Sequence, residues 1–125
     1  MRPTIILLSA KDGTRELVSR LRDAGAYETS PLFDRLTIGE CWYGVDLSAN
    51  VIEEFEQDEL AEIAGRLGEF DPVSLEYSGV PCVRKLLKAV LPGLTGLLDT
   101  NFGELVGFDE VLARFVAEPD WDWRV

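Results

Sequence analysis

The chain predicts an α+β (or α/β) fold, with a mixed β-sheet packed against about four helices. Three observations carry this. Thr4–Ser9 is a short β-branched apolar run with the make-up of a strand covered on both faces. Apolar residues recur at helical spacing in four later segments. Between those segments lie short stretches of β-formers bounded by glycine and proline, so strands and helices alternate as in a layered domain.

The elements follow in order. After Thr4–Ser9, Leu17, Val18, Leu21 and Ala24 mark one face of a helix over Asp12–Ala24, with Arg15, Arg20 and Arg22 outside and Gly25 as the stop. Phe33–Leu47 holds Leu36, Ile38, Trp42, Tyr43 and Val45, broken by Gly39-Glu40 and Gly44, and reads as two strands meeting at a hairpin or bulge. Asp58 is placed to cap a second helix carrying Leu60, Ile63, Ala64 and Leu67 and ending at Gly68; the pattern leaves open whether Val51–Phe55 joins it. Pro72 opens the alternating strand Val73–Tyr77. Pro81 suits the first turn of a third helix with Val83, Leu86, Leu87 and Val90 inward, stopped by Pro92-Gly93. Strands over Leu94–Leu98 and Glu104–Val106 and a helix over Asp109–Ala117 complete the chain. The order is β-α-β-β-α twice, with the break near Gly68–Pro72, so halves 1–68 and 72–125 read as a pseudo-repeat within one domain spanning 1–125.

Composition narrows the function. At 125 residues, 46% of them hydrophobic and 28% charged, the chain suits one domain burying roughly two-thirds of its unfolded surface. The net charge of −11 repels phosphate backbones and anionic membranes, which excludes nucleic acid and membrane surfaces and favours a basic protein partner. The absence of histidine removes Ser-His-Asp and Cys-His catalysis and histidine-ligated zinc. Neither GxxxxGK[ST] nor GxGxxG occurs, so no cofactor is expected. The apolar run Ile5–Leu8 is too short for the core of a signal peptide, which predicts a cytoplasmic protein. Cys41 and Cys82 can pair in principle, but without a secretory signal they are expected as buried or partly exposed thiols.

Residues 98–110, LDTNFGELVGFDE, carry the one motif with metal-binding spacing. Asp99, Asn101 and Glu110 fall at positions one, three and twelve of a calcium loop. The glycine is one place early, however, and Gly93–Leu98 reads as a strand where an entering helix is needed. A hairpin explains the same residues better: Asp99 and Asn101 bond the turn and Gly103 supplies a positive φ. No metal site is therefore expected.

The run LLDTNFGELVGFDEVLARF and the tail EPDWDWRV resemble the C-terminal part of small acidic bacterial immunity proteins of polymorphic and contact-dependent toxin systems. The resemblance rests on Asp99, Asn101, Phe102, Gly103 and Glu104, the helix after them, and Trp121 and Trp123. It covers roughly the last thirty residues. It implies a non-catalytic cytoplasmic inhibitor of one cognate toxin, with the hairpin residues as fold determinants.

Two stretches are candidate contact surfaces. Glu53, Glu54, Glu56, Asp58 and Glu59, with Glu62 one turn on, form an acidic segment without a basic residue. Such a segment is either a solvated helix entrance, where acids favour the dipole, or a docking surface that steers a basic partner. Trp121 and Trp123 share one side of an extended tail and serve either as packing or as interface anchors. An alternative function is a small-molecule domain with a pocket lined by Trp42, Tyr43 and Tyr77. Carboxylate pairs such as Glu40 with Asp46 have no motif behind them, so catalytic residues are expected to be absent.

Overall fold

In the computed structural model, which describes residues 3–101 and 103–123, β1 (Thr4–Ala10) lies inside a seven-stranded sheet. The other strands are β2 (Ala26–Glu28), β3 (Asp34–Ile38), β4 (Cys41–Asp46), β5 (Phe70–Tyr77), β6 (Gly96–Asp99) and β7 (Leu105–Gly107). Their order is β2-β3-β4-β5-β1-β6-β7. Helices α1 (Lys11–Asp23), α2 (Gln57–Leu67), α3 (Val80–Val90) and α4 (Phe108–Ala117), with a 3₁₀ segment over Ala49–Glu54, complete an α+β fold.

Alternation along β1 assigns the two faces. Ile5 and Leu7 enter the main core with α1, α3 and α4, through Leu17, Leu21, Leu86, Val90, Val111 and Phe115. Ile6 and Leu8 enter a smaller core on the opposite face, closed by Ile63 and Leu67 of α2 and by Val51 and Phe55. The unbroken apolar run Ile5–Leu8 of β1 is thus accounted for by burial on both sides.

Several expectations change. Every strand pairing is antiparallel, not mixed. Between β4 and β5, the 3₁₀ segment and α2 return the chain to the end of the sheet where β4 stopped, so a helical connection here joins antiparallel neighbours. The short edge strand β2 has no alternation to announce it; Ala26 and Glu28 are exposed. The pseudo-repeat does not order the sheet. The second strand of the β3–β4 hairpin borders β5, whereas the first strand of the β6–β7 hairpin borders β1, and α2 and α4 lie on opposite faces. Pro72 is the third residue of β5, not its opening, and sits opposite Leu8 beyond the end of β4, where the strand has one neighbour.

The expected free thiols are a disulfide. Cys41 at the start of β4 and Cys82 in the first turn of α3 are bonded, with Cα atoms 5.6 Å apart. The fold brings together two residues 41 apart in sequence, and the chain-entropy value of such a closure is roughly 4 kcal/mol. Beside the bond, the buried Tyr43 hydroxyl donates to the Cys82 carbonyl at 2.7 Å, and burial pushes its phenol up to about 12.

Side chains also tie the helices together. Ser9, buried in β1, bonds the Thr14 hydroxyl at 2.8 Å. Arg20 of α1 donates to the carbonyls of Val90 and Pro92, satisfying acceptors at the end of α3. Arg84 of α3 donates to the carbonyls of Pro119 and Trp121, holding the C-terminal tail against the domain.

Candidate functional site

The acidic segment and the β6–β7 hairpin, 34 positions apart in sequence between Glu62 and Gly96, meet in space. Together they line a cleft of about 360 Å³. Glu54 and Phe55 come from the end of the 3₁₀ segment, Glu59, Glu62 and Ile63 from α2, Ile6 from β1, and Asp99, Asn101, Gly103, Glu104 and Leu105 from the hairpin.

Local structure explains this placement. Glu56, not the expected Asp58, is the N-cap of α2: its side chain accepts from the backbone of Glu59, and the Glu59 carboxylate accepts from the Glu56 N–H at 3.0 Å. That reciprocal cap starts α2 about two turns before Ile63, which is buried against the sheet while Glu59 and Glu62 stay outside. The hairpin reading of residues 99–104 holds in detail. Asp99 Oδ1 accepts the Asn101 N–H at 2.8 Å, Thr100 N–H donates to the Glu104 carbonyl at 3.1 Å, and Asn101 and Gly103 take φ of 64° and 89°. Asn101 Nδ2 donates to Thr4 Oγ1 at 2.9 Å, which fixes the turn against the start of β1.

The cleft is acidic at the rim and apolar at the floor. Ile6, Ile63, Phe55 and Leu105 all belong to the smaller core. Around them stand Glu54, Glu59, Glu62, Asp99 and Glu104, and among the described residues no basic one lines the cleft. Glu104 shares Arg114 at 3.5 Å with Glu118; among the described residues no cation pairs with the other four. Burial raises the pKa of Asp99, and the charge of Glu59 adds to the rise, against the lowering effect of the Asn101 N–H. Among the described residues no cluster of His, Cys, Asp and Glu is arranged to hold a metal ion.

Of the acidic residues expected at a contact surface, Glu54, Glu59 and Glu62 line the cleft. Glu53, Glu56 and Asp58 lie outside it, and Glu56 serves the cap. The hairpin acids Asp99 and Glu104 line the cleft too, whereas the resemblance implies them only as fold determinants; the signal absent from the linear sequence is the pairing of Asp99 with Ile6 across the sheet.

The tryptophan tail is placed elsewhere. Trp123 is 5% exposed, donates Nε1–H to the Tyr77 hydroxyl at 3.2 Å and packs with Phe115 in the main core. Trp121 is half-buried between Phe115 and the Arg114 guanidinium. Both indoles pack against the domain, Trp123 buried and Trp121 partly exposed. Phe102 lies outside the described residues. The pocket expected from Trp42, Tyr43 and Tyr77 does not form: Tyr43 and Tyr77 are fully buried in the main core, while Trp42 alternates to the opposite face beneath Arg35.

Comparison with known proteins leaves the site to its chemistry. No family profile, curated protein or solved structure matches this chain. Among the described residues, no helix is long and apolar enough to cross a membrane.

Proposed function

We propose that the protein is a non-catalytic binding protein that inhibits a basic partner by occlusion, using the cleft between α2 and the β6–β7 hairpin. One observation carries this reading: four carboxylates, Glu54, Glu59, Glu62 and Asp99, surround an apolar floor and have no cationic partner among the described residues. Lysine and arginine match such a site, because their aliphatic stems lie along apolar surface while their heads meet the carboxylates. The overall charge of −11 steers a basic protein toward it and raises the association rate. This reading agrees with the resemblance to toxin-neutralising immunity proteins and extends it, since the hairpin acids become contact residues.

In this reading the inhibitor meets its toxin in the cytoplasm. Reducing conditions there work against the Cys41–Cys82 bond, so the cleft must bind with or without it. The separation of the two sites supports that requirement: the bond joins β4 to α3, and neither element lines the cleft.

The test is capture from the native host at two salt concentrations, with wild type beside a Glu54→Lys, Glu62→Lys variant that leaves the α2 cap intact. A basic protein held by wild type, released by salt and not held by the folded variant is the expected result. Equal capture by both removes the cleft from the mechanism. Thermal stabilisation by a polyamine, with no protein captured, would instead assign the cleft to a small organic cation.

A further inference from the structure

The Cys41–Cys82 disulfide stands where the sheet stops supporting its own hairpin. The β4–β5 pairing runs from Asp46 opposite Ser74 to Tyr43 opposite Tyr77 and ends there. Cys41 and Trp42 pair only with Ile38 and Thr37 of β3, so the hairpin tip, residues 38–42, overhangs the last rung shared with β5. The bond from Cys41 to α3 is the covalent hold on this overhang. Both cysteines are half-buried at the edge of the main core, in contrast to the sealed side chains of Tyr43 and Val83 beside them.

The surroundings also set a direction for cleavage. Cys82 is the third residue of α3, where unpaired backbone N–H groups and the helix dipole favour negative charge, and Lys85 lies one turn along the helix. In thiol–disulfide exchange the better-stabilised thiolate leaves.

We propose that Cys41–Cys82 is a thiol–disulfide exchange site, a reversible tie that fixes the β3–β4 hairpin tip to α3 when oxidised and releases it when reduced by a low-molecular-weight thiol. The thiolate of the reductant attacks Cys41 Sγ, a mixed disulfide forms there, and the Cys41–Cys82 bond breaks with its electron pair on Cys82 Sγ. A second reductant thiolate attacks the sulfur of the first and frees the Cys41 thiolate. Both cysteines take up protons, and in sum two thiols are oxidised to one disulfide as the protein disulfide becomes two thiols. The fold survives because Leu36, Tyr43 and Val45 remain in the core and the Tyr43 hydroxyl still reaches the Cys82 carbonyl. The site acts whether or not the cleft binds a basic partner.

The experiment equilibrates the native protein in glutathione buffers spanning reduced to oxidised, alkylates free thiols and weighs the intact chain, with amide hydrogen exchange measured at both extremes. The two cysteines should convert together without denaturant. Exchange in residues 38–42 should rise by about tenfold on reduction, while β1 and the middle of β5 stay protected. A Cys41→Ser, Cys82→Ser variant should reproduce the reduced pattern in either buffer; if it fails to fold, wild type in the reducing buffer supplies the same comparison. The proposal is overturned if oxidised glutathione leaves two free thiols, if reduction requires denaturant, or if exchange at the tip is the same in both states.

Discussion

Asp99 shows how one side chain can serve the fold and the site at once. Its carboxylate accepts the Asn101 N–H and so closes the hairpin, a role legible from the D-x-N-x-G spacing. Its second property was not legible: the pairing with Ile6 brings it beside Glu59, and burial together with that charge raises its pKa. The folded state therefore holds the Asp99 proton more tightly than the unfolded chain does. Stability falls as pH rises from the ordinary aspartate range through the raised value, and the penalty is complete above it. Asp99→Asn keeps an acceptor for Asn101 and removes the charge, so it should melt at a higher temperature than wild type at neutral pH. The difference should close in acid, where wild type is protonated too. Melting curves at the two pH values check this, and a variant less stable than wild type at neutral pH would contradict it. A carboxylate kept at a cost to stability is the pattern of a residue retained for binding. By the same titration, partner binding at the cleft should weaken as pH falls and Asp99 takes up its proton.

At the scale of elements, the helices are legible in the sequence and the strand partners are not. Four apolar faces at helical spacing locate α1 to α4 within about a turn, because a helix closes its own hydrogen bonds and needs only local sequence. The main strands β1, β3, β4 and β5 were found for a similar reason, through alternation or continuous apolar runs. Which strand lies beside which depends on contacts between distant segments, and with it went the antiparallel sense, the edge strand β2 and the cysteine pairing. Only half of the cleft was visible, as the acidic segment; its other wall comes from a hairpin that the linear chain keeps apart from it. Gly96 is where an element depends on having no side chain. A Cβ there would overlap the Phe108 ring and the Leu8 carbonyl, so β6 packs against both α4 and β1 only as glycine. Gly96→Ala should cost about 1–3 kcal/mol or more, seen as a lower urea midpoint at unchanged slope. Gly103→Ala, which meets open space and bears only the strain of its positive φ, should cost less.

For the whole molecule, the C-terminal tail decides where the domain ends energetically. Arg84 holds the backbone at Pro119 and Trp121, and Trp123 stands edge-on to Tyr77 with ring centroids 6.4 Å apart. Trp123→Ala should therefore destabilise the entire fold by about 3–5 kcal/mol, measured by denaturant unfolding and loss of near-ultraviolet ellipticity. A change below 1 kcal/mol would mean that the tail is an appendage. The position of β1 has a further consequence, in time. Its neighbours are β5 and β6, so the strand waits until residues 70–99 exist before both sides are covered. At ribosomal speeds of about 5–20 residues per second the wait is on the order of 5–20 s. For that interval a nascent chain carries the incompletely covered segment TIILLSA, apolar and β-branched enough to pair with copies of itself. The charged start of α1, Lys11 and Asp12, follows it directly and emerges first after it, so the residues that begin the first helix also act as gatekeepers during synthesis.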